Sequence, residues 1–136
     1  MKLYLDDFRN PDHSTRFMYD RIGLESRIYS MESWLVVRNY QEFIEAIKKH
    51  AGELTHVSFD HDLADGHYHK NMQEGVLNYE AESFEDDSNK TGYHCAKFFK
   101  EYYEEHNLEL PVMYVHSMNP VGTQNIINLF KPNTNG

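Results

Sequence analysis

Residues 2–7 read Lys-Leu-Tyr-Leu-Asp-Asp, and residues 56–62 read His-Val-Ser-Phe-Asp-His-Asp. Each is a short, mostly apolar run that stops abruptly at carboxylates. A run of this length, bounded by polar residues, fits a buried strand ending in a loop better than a helix. Two more stretches behave alike. Trp34–Arg38 is Val-rich and closes on an arginine, and Val112–Val115 runs into His116-Ser117-Met118-Asn119-Pro120. The chain therefore has four candidate strands, each finished by ionisable or polar side chains.

Helical spacing fills several of the gaps. Tyr40, Phe43, Ile44 and Ile47 repeat at the spacing of an amphipathic helix, with Asn39 as N-cap and Gly52 as its stop. Thr91 caps a long helix reaching His106, with Cys95, Phe98, Phe99, Tyr102 and Tyr103 on its apolar side. Asn119 caps a last helix with Pro120 at its first position, and Ile126, Ile127 and Phe130 are expected to face the core. Two segments lack periodicity. Residues 12–32, after the break at Asn10-Pro11-Asp12, read as a long loop with room for a short helix. Residues 64–90 read as a long acidic insertion loop, with the run Glu82 to Asp87, of the kind that often forms a functional flap. The tail 132–136 is expected to fray.

Strands alternating with helices imply an α/β fold: a mostly parallel sheet, right-handed crossovers and helices on both faces. The 136 residues make one ordinary domain, spanning 1–136. Hydrophobic residues at 40% and aromatics at 14% place the chain among globular proteins rather than disordered ones.

Composition also excludes function classes. The net charge of −9 argues against duplex nucleic acid as a partner. A small phosphorylated molecule or an RNA end remains compatible, given a few local cations. No apolar run approaches the roughly 20 residues that span a bilayer. Two carboxylates interrupt the first apolar stretch, so it is no signal peptide, and a cytoplasmic location with no membrane partner is expected. The one cysteine, Cys95, can form neither an internal disulfide nor a multi-thiolate zinc site, and reads as a core residue. There is no phosphate-binding Walker loop, no dinucleotide glycine pattern and no serine-nucleophile elbow.

In a parallel sheet all strand C-termini share one edge, and ligands bind outside that edge. This places Asp6, Asp7 and Arg9 beside Arg38, beside Asp60, His61 and Asp62, and beside His116, Ser117 and Asn119. Carboxylates so crowded need a divalent cation, a shared proton or a paired arginine. Mg²⁺ or Mn²⁺ held by Asp6, Asp7 and Asp60 is the first expectation. Asp6 or Asp7 paired with Arg9 or Arg38 is the structural alternative, and a transition-metal site through His61 or His116 is the third. His61 and His116 can exchange protons near neutral pH, and with Asp60 and Asp62 they make the candidate catalytic set. Arg9, Arg38, Ser117 and Asn119 are the candidate phosphate contacts, helped by backbone N–H groups at the start of the last helix.

These residues resemble a known pattern. Asp6, Asp7, Asp60 and Ser117 are similar by position to the acids and hydroxyl of response-regulator receiver domains, although the lysine those domains carry after a fifth strand is not found. A closer resemblance is to the cyclic-phosphate processing receiver domain family. It rests on Leu5-Asp6-Asp7-Phe8-Arg9, on Val37-Arg38 with Tyr40, on Phe59-Asp60-His61-Asp62-Leu63, on Thr91-Gly92, and on His116 to Gly122, in the same order over nearly the whole chain. The resemblance implies a receiver-like (flavodoxin-like) three-layer sandwich, truncated to about four strands. It also implies a role on cyclic phosphate ends in RNA or nucleotide processing. The expectation is a metal-assisted phosphoesterase acting on 2′,3′-cyclic phosphates. A signalling receiver phosphorylated on Asp60, or a module that binds cyclic nucleotides without turnover, are the alternatives.

Overall fold

Four short strands carry the fold, and each is where apolar residues run together. In the computed structural model, which describes residues 1–63 and 90–131, they are β1 (Lys2–Leu5), β2 (Leu35–Val37), β3 (His56–Phe59) and β4 (Val112–Val115). All pair in parallel, in the order β2-β1-β3-β4. Leu5 is level with Val37 on one side and Phe59 on the other, and Phe59 is level with Val115. The expected 64–90 insertion, apart from Lys90, and the 132–136 tail lie outside the described residues.

Alternation along the strands makes two cores. Leu3, Leu5, Val57 and Phe59 face one side. There they meet Phe43 and Ile47 of α3 (Tyr40–His50), Cys95 and Phe99 of α4 (Gly92–Glu105), and Ile126 of α5 (Pro120–Phe130). Tyr4 and Tyr114 face the other side, against Met18 of α1 (Pro11–Ile22) and Tyr29 of α2 (Ile28–Met31), with Trp34 packed alongside. This is the three-layer receiver-like sandwich, with helices on both faces of a parallel sheet. Each fully buried Phe or Leu contributes about 1.5–3 kcal/mol relative to exposure.

The caps expected at Asn39, Thr91 and Asn119 are made. Their side chains accept from Glu42 N at 2.8 Å, Tyr93 N at 3.2 Å and Gly122 N at 3.0 Å. Gly52, two residues past the end of α3, takes φ +88°, a left-handed conformation that suits glycine.

Three expectations need correction. Residues 12–32 are not a long loop: they form α1, a 3₁₀ turn (Gly23–Arg27) and α2. The hydrophobic pattern missed α1 because Ser14 occupies its buried stripe, where its hydroxyl lies 2.7 Å from the Tyr4 hydroxyl. Asn10-Pro11, read as a break, is the helix start, with Pro11 at its first position. Ile127 faces solvent, 40% exposed, while Ile126 is fully buried and Leu129 and Phe130 pack on the core. No described helix is long and apolar enough to cross a membrane.

Candidate functional site

The sheet ladder continues one residue past the strands. Asp6 N donates to Val37 O at 3.1 Å, Asp60 N to Leu5 O at 3.0 Å, and His116 N to Phe59 O at 2.9 Å. Arg38, Asp6, Asp60 and His116 therefore stand in one row across the C-terminal edge. Period-two alternation sends Asp6, Asp60 and His116 to the face of Tyr4, Ser58 and Tyr114. The His116 ring stacks on Tyr4 with centroids 4.3 Å apart.

Asp6 is fully buried and saturated with donors. Its Oδ1 accepts Phe8 N (3.1 Å) and Arg9 N (2.8 Å), and its Oδ2 accepts Arg9 Nε (2.9 Å) and His116 Nε2 (3.1 Å). Burial alone would raise its pKa. The hydrogen bond from His116 and those from the Arg9 and Phe8 amides overcome it and hold Asp6 far below the usual carboxylate range. Asp60 differs. Its Oδ1 accepts His61 N at 2.8 Å and Arg9 Nη2 at 3.3 Å, but its Oδ2 has no hydrogen-bond partner among the described residues. Burial, then the neighbouring Asp6 charge, push its pKa well above normal, only partly offset by Arg9.

Behind His116 lies a chain of hydroxyls. Ser58 Oγ is 2.6 Å from His116 Nδ1 and 2.6 Å from the Tyr29 hydroxyl. Burial lowers the His116 pKa against the opposing pull of Asp6, so the ring is neutral at neutral pH. The tautomer that satisfies every group has Tyr29 donating to Ser58, Ser58 donating to Nδ1, and Nε2–H donating to Asp6.

One ligand atom each from Asp6, Asp60 and His116 lies within 4.8 Å of the others. That is the scale of a divalent site, since an ion at about 2.1 Å from its ligands sets neighbours about 3 Å apart and opposite ligands about 4.2 Å apart. The buried Asp60 Oδ2, without a partner among the described residues, is a second sign that the group can accept a cation. Asp7 is half-exposed and outside this trio, and burial with the Asp6 charge raises its pKa. Asp6 and Asp60 of the expected carboxylate set thus stand with the His116 imidazole, and Arg9 bridges Asp6 to Asp60.

The remaining candidates divide by layer. Arg38 ties down the turn after β1: Nη1 donates to the backbone Asp6 O (3.2 Å) and Arg9 O (2.6 Å), and Nη2 to the Asn10 side-chain Oδ1 (2.6 Å). His61 turns toward the opposite layer, against Gly122 of α5, with Nδ1 2.7 Å from Asp62 Oδ1. Asn119 Nδ2 reaches Asp62 at 3.4 Å. The two histidines thus enter from opposite sides of the sheet. Ser117 stands one residue past the row, and its Oγ accepts Asn119 N at 3.1 Å. The start of α5 is largely self-satisfied: Pro120 has no N–H, Gly122 N goes to Asn119 Oδ1 and Thr123 N to Asn119 O.

Several contributors escaped the sequence reading. Ser58 and Tyr29 orient His116, and Ser58 was detectable as a polar residue inside an apolar strand, two before Asp60. Arg21, placed in an apparent loop, clamps the end of β4 through Val115 O and Ser117 O, each at 2.7 Å. Gly92 and Gly122 are needed for contact: a Cβ at Gly92 would overlap the Asp60 carbonyl, and one at Gly122 the His61 ring.

No curated protein and no solved structure matches the chain. A family model does match, over residues 1–132. It spans β1 to α5 and every residue of the row, so the chain belongs to the cyclic-phosphate processing receiver domain family.

Proposed function

We propose that this protein is a phosphoesterase that opens cyclic phosphates, with 2′,3′-cyclic phosphate ends of RNA or cyclic nucleotides as substrates. The observation that carries the reading is the buried Asp6–Asp60–His116 row at the ligand-binding edge, in a chain of this family. Asp6, Asp60 and His116 would hold Mg²⁺ or Mn²⁺, and the imidazole nitrogen favours Mn²⁺. A cation bound there would supply charge neutralisation for the phosphate and a more acidic water.

The chain's own groups supply the rest. Hydrolysis adds a water oxygen to phosphorus and breaks one ring P–O bond. One proton leaves the water and one reaches the departing ribose oxygen, giving a phosphomonoester and a hydroxyl. With His116 engaged at the row, the His61–Asp62 pair is the group left to move a proton. Asp62 on Nδ1 fixes the ring so that Nε2 is the exchanging atom. The Arg9 guanidinium and the Asn119 amide are the candidates to hold phosphate oxygens.

The second reading is a signalling receiver phosphorylated on Asp60. Against it stands the cation that the described residues place beside Asp60, which is Arg9 from the turn after β1 rather than a lysine. Acetyl phosphate separates the two. The proposal expects no stable acyl phosphate by intact mass, and stoichiometric phosphorylation of Asp60 would favour the receiver.

A further inference from the structure

Asp6 has no acceptor capacity to spare. A carboxylate offers about four lone-pair sites, and all four here are taken: two by backbone amides, one by Arg9 Nε and one by His116 Nε2. A divalent ion can therefore bind Asp6 only if a donor leaves or gives up its proton, and as long as Arg9 stays the ion must sit against a positive guanidinium that bridges both carboxylates. The amides of Phe8 and Arg9 are fixed by the turn that follows β1. His116 is fully buried, stacked on Tyr4 and held from behind by Ser58. His116 can give up its Nε2 proton but cannot swing away, whereas the Arg9 side chain can do so: it is 16% exposed, and it reaches both carboxylates on a flexible stem.

We infer that Arg9 is the resident counter-cation of the Asp6–Asp60 pair, and that Arg9 and a divalent ion occupy these carboxylates in exclusion of one another. This rests on the metal reading above and adds its regulation. In the ion-free protein the guanidinium neutralises the pair, with Nε on Asp6 and Nη2 on Asp60. When an ion enters, those two donors are released together. They are then free at the mouth of the site, where a fork of N–H groups suits phosphate oxygens. One arginine would thus guard the carboxylates when the site is empty and face substrate when it is loaded. His116 must also present Nε2 without its proton to an ion. The Ser58–Tyr29 hydroxyls permit that by reversing their direction, with Nδ1–H then donating to Ser58.

The test is Mn²⁺ alone, titrated into the full chain by calorimetry or by the loss of its free-ion EPR signal. Arg9→Gln should bind Mn²⁺ roughly tenfold to a hundredfold more tightly than the wild type, the scale of a lost charge-assisted contact. Arg9→Lys, which keeps the charge without the fork, should lie between them. Equal or weaker binding by a folded Arg9→Gln, with clear binding by the wild type, overturns this inference and leaves the metal reading standing. No binding by either protein overturns both. A measurement on the wild type does not depend on how the variants fold. The Arg9 Nε–H resonance, protected in the ion-free protein, should lose protection as Mg²⁺ shifts the Asp60 and His116 signals. Its persistence at saturating Mg²⁺ overturns the inference.

Discussion

The Asp6 and Asp60 carboxylates sit side by side at the sheet edge and are pushed in opposite directions. Asp6 accepts four hydrogen bonds and is held ionised, whereas Asp60 has a buried oxygen without a partner among the described residues and is pushed toward its protonated form. That difference has a stability consequence. A carboxyl whose folded pKa lies above its unfolded value binds more protons in the native state. Stability is then lost as pH rises from about 4 through the folded pKa. Without added metal, Asp60→Asn removes that loss. Its melting temperature relative to the wild type should therefore climb between pH 4 and pH 7, measured as paired thermal melts. A difference that stays flat with pH would contradict the assignment. The gain in the variant would come with loss of the site's function, the trade-off expected where selection holds a destabilising group in place.

At the scale of elements, the row is an outcome of register. Asp6, Asp60 and His116 meet because β1, β3 and β4 end at the same level. This much was legible: four apolar runs, each closing on polar residues, with helix caps between them that the structure bears out. The layer over the second face was not. α1 buries a serine and a methionine rather than an apolar stripe, so periodicity could not reveal it, and with it went Arg21 and the start at Asn10-Pro11. The one-residue difference between Ser117 and His116 was equally hidden, because which of two adjacent residues lies level with Asp60 depends on where the ladder ends. Helix-to-sheet approach supplies its own test. The start of α4 presses so closely on β3 that Gly92 N donates to His61 O at 2.6 Å. Gly92→Ala places its Cβ on the Asp60 carbonyl, a backbone atom that cannot turn aside. It should destabilise the fold by about 1–3 kcal/mol or more, read from denaturant unfolding. A neutral Gly92→Ala would show that α4 and β3 are not locked together.

For the whole molecule, charge and chemistry pull in different directions. On the proposed function a chain of net charge −9 would act on a phosphate, and its arginines are concentrated locally. All five arginines fall between residues 9 and 38, and Arg9 reaches the carboxylates of the row itself. That segment is the one that crosses over the second face and closes the site from behind. The acidic remainder of the chain would disfavour long nucleic acid, and the proposal accordingly takes a single cyclic phosphate end or mononucleotide as substrate. The most direct measurement is turnover. The purified wild type, Asp60→Asn and His61→Ala are incubated with a 2′,3′-cyclic-phosphate oligonucleotide and with 2′,3′-cyclic mononucleotides, in Mn²⁺ and in EDTA, and the products are separated by chromatography. The expected result is ring opening by the wild type in Mn²⁺, abolished by EDTA and by Asp60→Asn, and slowed about 10²–10⁴-fold by His61→Ala. No conversion of any of these substrates by folded, Mn²⁺-loaded wild type would contradict the hydrolase and leave a module that binds cyclic phosphates without turning them over.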